Sequence, residues 1–412
     1  MEDQTMTGKT AVAAVIMECN PPHRGHTYIL EQARVRTGAS HVIVLMSGNY
    51  VQRGEPAIID KYARAKALLE SGADLILELP TYIATGAADY FSRGAMQILD
   101  RLGVVTHLCF GSESGEIRPI LDIAGILAAE PQVYRDTLRD ALKSGASFPS
   151  ARADAINAAL KTDDAPASKV LSDAAPNDLL ATEYCKSLLQ LNSRITPVAV
   201  KRIETASAGD IRAALKKGSK IPDETAPAIT KLLEDALGKR APAGTEIFSQ
   251  ALFYRLHTCS DLTRYADVSD SLSAKISAAL RESRDWDDLS MRLKSRDITY
   301  THIRRALLHI FLGITKRDIA LLEKAGLVGY VRILGLRSDA KDLLAAIGRS
   351  TRIPLVVRPA ADGKLLAPPF SDAFERDLNA AELYDLLCRQ HYGDDAPCTP
   401  EASRPLIIVP ET

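Results

Sequence analysis

"AVAAVIMECNPPHRGHTYILEQARVRTG", residues 11–38, decides how the first part of the chain folds. Residues 11–17 are an apolar run with β-branched side chains and read as a buried strand. Residues 27–38 have apolar positions at helical spacing and stop at Gly38. Between them, "MECNPPHRGH" (17–26) turns strand into helix. The same alternation continues. "HVIVLMSG" (41–48), "ADLILELP" (73–80) and "VVTHLCFGSES" (104–114) read as strands. "IIDKYARAKALLESG" (58–72) and "GAADYFSRGAMQILDRLG" (86–103) read as helices. Strands alternating with helices through short links predict an α/β fold, a parallel sheet covered on both faces. Ligands of such sheets bind beyond the carboxyl ends of the strands. "ECNPPHRGH", "SGNYVQRGEP", "ELPT" and "FGSESG" all fall at those ends, so successive loops are expected to build one site.

Further along, 117–195 reads as helical with a surface loop at 161–178. "TPVAVKRI" (196–203) reads as a strand and "AGDIRAALKKG" (208–218) as a short helix. The break at "GSKIPDETAP" (218–227) divides the chain into an α/β domain over 1–220 and a mainly helical region over 221–412. Its tail has strand-like segments at 329–336 and 353–359 around a helix at 338–348. A last helix covers roughly 373–391.

Composition excludes some classes. A net charge of −1 gives no global field for nucleic acid or membrane, though local patches stay open. No apolar run has the length of a membrane span. The polar "MEDQTMTGKT" (1–10) lacks the layout of a signal peptide, and its first few residues read as a disordered lead-in. Cysteines 19, 109, 185, 259, 388 and 398 form no CxxC pair, so reduced thiols and a cytoplasmic location are expected, with no metal site.

His23-Arg24-Gly25-His26 at a helix start has a physical logic. A helix N-terminus offers free N–H groups and partial positive charge to phosphate. Gly25 lets the backbone approach a ligand, and both imidazoles can donate to phosphate oxygens. Donors held where charge develops during attack at an α-phosphorus lower the barrier. Two capping or surface histidines are the plain alternative, and no carboxylate or thiol at ligand spacing supports a metal.

His-x-Gly-His resembles the signature of the nucleotidyltransferase superfamily, which includes class I aminoacyl-tRNA synthetases. Over about residues 11–392 the chain is similar to something narrower. "MECNPPHRGH", "SGNYVQRGEPAIIDKYARAKALLESGADLILELP", "FGSESG", "APNDLLATEYCKSLLQLNS" and "VRILGL" resemble the bacterial tRNA(Met) cytidine acetate ligase family. The resemblance implies a Rossmann-like nucleotidyltransferase domain followed by a helical tRNA-binding region. It implies free acetate, ATP and Mg2+, an acetyl-adenylate, and transfer to N4 of the wobble cytidine of elongator tRNA(Met). The matching ATP-binding positions are the stretch Ile16, Met17, Glu18, Cys19, Asn20 to Ile29, with Gly25 inside it, then Gly111, Asn177, Arg202 and Ile203.

Read by residue type, Asn177 could hold a base or ribose or only cap a helix. Arg202 could hold triphosphate or a surface carboxylate, and Gly111 could make room for a nucleotide or only a turn. Arg53, in a Gly-bracketed loop with Gln52 and Glu55, could stabilise acetate or leaving pyrophosphate. Lys61 and Arg64 lie one turn apart on the next helix, facing the same way, and either could be a solvated helix charge, Lys61 the more so. Glu18 and Glu78 could position Mg2+ through water or serve as structural acceptors.

Departures from the family pattern are "SAGDIR", where relatives usually have Ser-Ala-Thr-x-Ile-Arg, and Pro22 in place of an aromatic. Ser207 and Arg212 keep their places, but Asp210 puts an acid beside the expected triphosphate. For RNA, "MRLKSRDITYTHIRR" (291–305) and "TKR" (315–317) supply Arg292, Lys294, Arg296, Arg304, Arg305, Lys316 and Arg317, with Tyr300 and His302 to stack on an unpaired base. A solvated amphipathic helix explains the same charges. Two rival functions stay open at this level: a small-molecule adenylyltransferase, and a non-catalytic RNA-binding relative.

Overall fold

Alternate residues of the first strand serve opposite faces, as the pleat requires. In β1 (Val12–Met17), Val12 and Ala14 join one core, while Ala13, Val15 and Met17 join another. The computed structural model describes residues 11–160, 176–217, 227–237, 241–295, 298–395 and 398–411. The other strands are β2 (His41–Ser47), β3 (Tyr50–Val51), β4 (Glu55–Pro56), β5 (Leu75–Leu79), β6 (His107–Ser112), β7 (Thr196–Lys201), β8 (Val331–Arg337), β9 (Leu355–Val356) and β10 (Ile407–Val409).

The main sheet runs β10-β8-β5-β2-β1-β6-β7, with β9 also paired to β8. Strands β5, β2, β1, β6 and β7 are mutually parallel. Helices Arg24–Thr37 and Lys61–Glu70 cover one face through Leu30, Ala33, Leu68 and Leu69. Helices Ala88–Leu102, Ile117–Ala129 and Pro176–Gln190 cover the other through Leu99, Ile120 and Tyr184. The chain leaves β1 towards β2, then returns to place β6 on the other side of β1. That reversal opens a crevice at the carboxyl ends of β1 and β6.

Three expectations need correction. The tail beyond 221 does not lie with the helices alone: β8 pairs antiparallel with β5, and β9 and β10 pair with β8. The sheet is therefore mixed, because β8 arrives from the helical region and needs no crossover helix to enter reversed. The segment expected as a strand over 353–359 pairs only at Leu355–Val356, since Pro359 opens a helical turn. Helix Pro227–Ala236, past the expected boundary, packs Ile229 and Leu233 on Ile58, Ile59 and Ala67 of the α/β part. Most of the 161–178 loop, the 218–227 break and the 1–10 lead-in lie outside the described residues.

The helical body is built from Thr245–Thr258, Asp270–Ala279, Trp286–Leu293, Tyr300–Leu312 and part of Phe370–Tyr392, around Phe248, Trp286 and Phe311. Tyr50 of the β3–β4 hairpin is part of that core. It stacks near Phe248, Phe311 and Tyr384 and donates to the Ala380 carbonyl at 3.1 Å. Between its strands the hairpin turns at Gly54, φ +79°, and a Cβ there would lie 2.4 Å from the Arg304 carbonyl carbon. "NYVQRGEP" thus plugs the sheet's carboxyl edge into the helical body.

Candidate active site

The histidines do more than follow the strand. The helix begins at Arg24, not at residue 27, because His23 and His26 cap it. The Gly25 amide donates to His23 Nδ1 at 3.0 Å, and the His23 amide donates to His26 Nδ1 at 3.1 Å. This is a capping box with imidazoles in the places usually held by Ser/Thr and Glu/Gln. The ring centroids are 4.0 Å apart. A backbone amide can only donate, so each Nδ1 is an acceptor and each neutral ring carries its proton on Nε2. Burial, and then the Arg202 charge, push His23 down to about 4. Burial first, then His23 and Arg202, push His26 well below its ordinary value. Both rings are neutral Nε2–H donors near neutral pH. Gly25 is needed for the first ring: a Cβ there would lie 2.8 Å from His23 Cε1.

The strand ends around them are held from inside. Arg64 is buried and donates to the carbonyls of Glu18 (2.8 Å), Ser47 (3.1 Å), Ile59 (2.9 Å) and Gly48. One guanidinium so fixes the ends of β1 and β2. Lys61 and Glu78 are also internal. Lys61 Nζ lies 2.6 Å from Glu78 and 2.7 Å from Glu401, which Arg332 meets at 2.6 Å. Glu78 is therefore a structural partner, and Lys61 is not a solvated helix charge. Met17, Cys19 and Ile29 are core residues beneath the site, and Ile16 packs partly buried on the opposite core.

Asn20 is buried, accepts from the Ile58 amide at 2.8 Å and donates to Glu55 at 3.3 Å. Arg212 reaches the Asn20 carbonyl at 2.5 Å and Glu55 at 3.5 Å. Glu18 accepts from the Gln52 amide at 2.9 Å and faces Arg53 at 3.7 Å. Burial chiefly, with Glu55 adding, raises the Glu18 carboxyl above its ordinary value against Arg53 and Arg212. The Arg53 side chain is 64% exposed at the hairpin tip.

Across the crevice, one acid that sequence reasoning passed over organises two expected residues, Asn177 and Arg202. Glu113 accepts from the Asn177 side chain at 2.5 Å and from the Asp178 amide at 3.0 Å, and it faces Arg202 at 3.5 Å. Asp178 returns the favour to the amides of Glu113 (3.1 Å) and Ser114 (3.3 Å). A Cβ on Gly111 would meet only the Arg202 stem, at 3.5 Å, so the protein itself leaves room there. Ile203 is half-buried beside Arg202. Ser207 caps helix Ala208–Lys216, and Asp210 bonds back to Ser207 N (2.9 Å) and Oγ (2.7 Å). Those bonds hold Asp210 below its ordinary value. The acid in "SAGDIR" is thus a capping partner.

The expected RNA cluster is largely spent inside the protein. Arg304 sits on the buried face of helix Tyr300–Leu312 and pairs with Asp287 (2.6 Å) and Glu55 (3.1 Å). Arg305 pairs with Asp267 at 3.3 Å, and Arg292 with Glu282 and Asp288. Tyr300 accepts from Arg304, His302 meets the Asp267 carbonyl, and Lys316 donates to the Val268 carbonyl. Lys294 and Arg317 are exposed. Arg296 lies outside the described residues. Among the described residues no three His, Cys, Asp or Glu side chains gather to hold a metal, and no helix is long and apolar enough to cross a membrane.

The model of the HIGH nucleotidyl transferase family matches residues 10–396. The chain is 34% identical to the tRNA(Met) cytidine acetate ligase of Acetivibrio thermocellus, over 92% of this chain and 95% of the relative. With that of Caldanaerobacter subterraneus the identity is 36%, over 90% and 94%. The crystal structure of Thermotoga maritima TmcAL bound with alpha-thio ATP superposes with a TM-score of 0.89 at 29% identity, covering 98% of this chain and 100% of that one. The neutral histidine pair at the strand switch and this likeness along nearly the whole chain agree: the protein belongs to the HIGH nucleotidyl transferases and, within them, to the tRNA(Met) cytidine acetate ligase family.

Proposed function

We propose that the protein activates acetate with ATP and acetylates N4 of the wobble cytidine of elongator tRNA(Met). An acetate oxygen attacks the α-phosphorus, the bond to pyrophosphate breaks, and acetyl-adenylate forms. The cytidine amine then attacks the acetyl carbonyl, AMP leaves, and the amine gives up a proton. The amine lone pair is delocalised into the ring, which is why acetate needs activation as a mixed anhydride.

The observation that carries this reading is the tautomer of His23 and His26. With each Nδ1 locked by a backbone amide, two Nε2–H donors stay available at a helix N-terminus on the β1/β6 crevice. Such donors serve the charge that develops on α-phosphate oxygens. Arg202, with Ser207 and Arg212 at the next helix start, supplies a cationic side for the phosphates. Asn177 and Gly111 frame the nucleoside end. Arg53, exposed at the hairpin tip, faces the entering carboxylate or leaving pyrophosphate. Mg2+ would enter with the triphosphate and be held by phosphate oxygens and water, with Glu18 at the end of β1 as a carboxylate support.

The test combines purified protein, ATP, Mg2+, labelled acetate and elongator tRNA(Met) transcript. After digestion, label in N4-acetylcytidine at the wobble position is the expected result. Pyrophosphate release without labelled RNA, or neither, overturns the reading.

A further inference from the structure

A second cavity gathers unneutralised cations around an aromatic ring. Tyr265 is buried in the helical body. The Arg255 guanidinium lies 5.6 Å and the Arg264 guanidinium 5.3 Å from its ring centroid. Arg255 Nε also donates to the Tyr265 hydroxyl at 3.3 Å. Neither arginine forms an ion pair among the described residues, whereas the arginines of helix Tyr300–Leu312 all do. The acid that feels Arg264 and Lys316, Asp261, is engaged in capping: it accepts from the Thr263 amide (2.9 Å) and hydroxyl (2.6 Å).

Tyr265, Arg255 and Arg264 line an open cavity of about 390 Å³ with Tyr254, Thr258 and Cys259. Tyr254 is 73% exposed, a planar ring offered to solvent at its rim. Arg255 is seated there by the fold. Gly313 turns at φ +74° to end helix Tyr300–Leu312, and a Cβ on it would lie 2.6 Å from Arg255 Nη2. The bridge between Tyr265 and Thr315 brings Lys316 and Arg317 next in line.

We propose that this cavity holds a nucleotide of the substrate RNA other than the reacting cytidine, its base stacked on Tyr254 and its phosphate held by Arg255 and Arg264. The inference rests on the proposed function. A bare aromatic face beside unpaired, ring-stacked guanidiniums suits a base and its phosphate. An acidic peptide would use the cations but has no need of the ring. The position also fits a substrate that spans the molecule. Arg304, against the hairpin of the active site, and Gly313, against Arg255, stand about 14 Å apart along one helix.

The experiment measures tRNA(Met) affinity of the full chain and of Tyr254→Ala, Tyr254→Phe and Arg264→Ala. Tyr254 and Arg264 are exposed, so the variants spare the core. Both alanine variants should weaken binding about five-fold or more at fixed salt. Arg264→Ala should also reduce the slope of log affinity against log salt by about one. Tyr254→Phe should bind like the parent, and acetate-dependent ATP–pyrophosphate exchange without RNA should be unchanged in all three. Parent-like RNA binding by both alanine variants overturns the site while leaving the proposed function standing; the cavity then suits an acidic peptide or nothing. Equal weakening in Tyr254→Phe removes stacking and overturns it too. A parent chain that does not bind tRNA(Met) at all fails the proposed function itself, and this inference with it.

Discussion

His23 has two jobs that a single substitution can separate. Its Nδ1 caps a helix, and its Nε2–H is left to donate elsewhere, in the proposed function to phosphate. Asparagine is among the best N-caps but has no imidazole. His23→Asn should therefore keep the melting temperature within about 2 °C, since little cap energy is lost. It should still lower acetate-dependent ATP–pyrophosphate exchange by about 10²-fold, the loss typical of one transition-state donor. A parallel fall in stability and rate would mean that only the cap matters. The pH dependence follows from the same burial. The folded His23 titrates at about 4, below its unfolded value near 6.5, and His26 is shifted the same way. Between those values the unfolded chain binds more protons, so stability should fall as pH drops through that window and be flat above it. Urea midpoints from pH 8 to 4 check this. In activity, no histidine-dependent loss is expected from pH 8 to 6.

At the scale of elements, the β3–β4 hairpin is the joint between sheet and helical body. Gly54→Ala should cost about 2–4 kcal/mol, combining strain at positive φ with overpacking on the Arg304 backbone. Equilibrium denaturation measures it, and a change below 0.5 kcal/mol (about the size of a surface substitution) would show that the hairpin moves aside. This joint also marks where sequence reading stopped. The strands, the glycine helix stops and the crowding of polar loops at one sheet edge were legible, because each is written in a run of neighbouring residues. The partners of Glu55 were not. Arg212, Arg304 and Asn20 come from three distant segments, and an arginine at a buried helical position looks in sequence like one facing solvent. Glu113 was visible within "FGSESG", but nothing local says that an acid would hold Asn177 and Arg202. The histidine site was legible as a motif, whereas its tautomer needed the two amide contacts.

The whole molecule is tied together by its tail. Glu401 meets Lys61 and Arg332, all three buried, and accepts from the partly buried Tyr62 at 2.7 Å. Although burial opposes it, Lys61 and Arg332 hold the Glu401 carboxyl below its ordinary value. Glu401→Ala leaves two buried cations to share Glu78 and should destabilise the protein by about 3–5 kcal/mol. The urea midpoint reads this, and a neutral result would mean that Glu78 alone balances both. None of this was legible, since β8 pairs with β5 across most of the chain and an edge partner leaves no local mark on either strand.

That late pairing has a consequence during synthesis. Until β8 leaves the ribosome, β5 has β2 on one side and nothing on the other. At ordinary translation speeds the interval is on the order of 10–50 s. For that time "LILEL" presents bare backbone donors and acceptors, the kind of edge that recruits foreign strands. The nascent chain therefore needs shelter, by a chaperone or the ribosome surface, before its own last strands arrive.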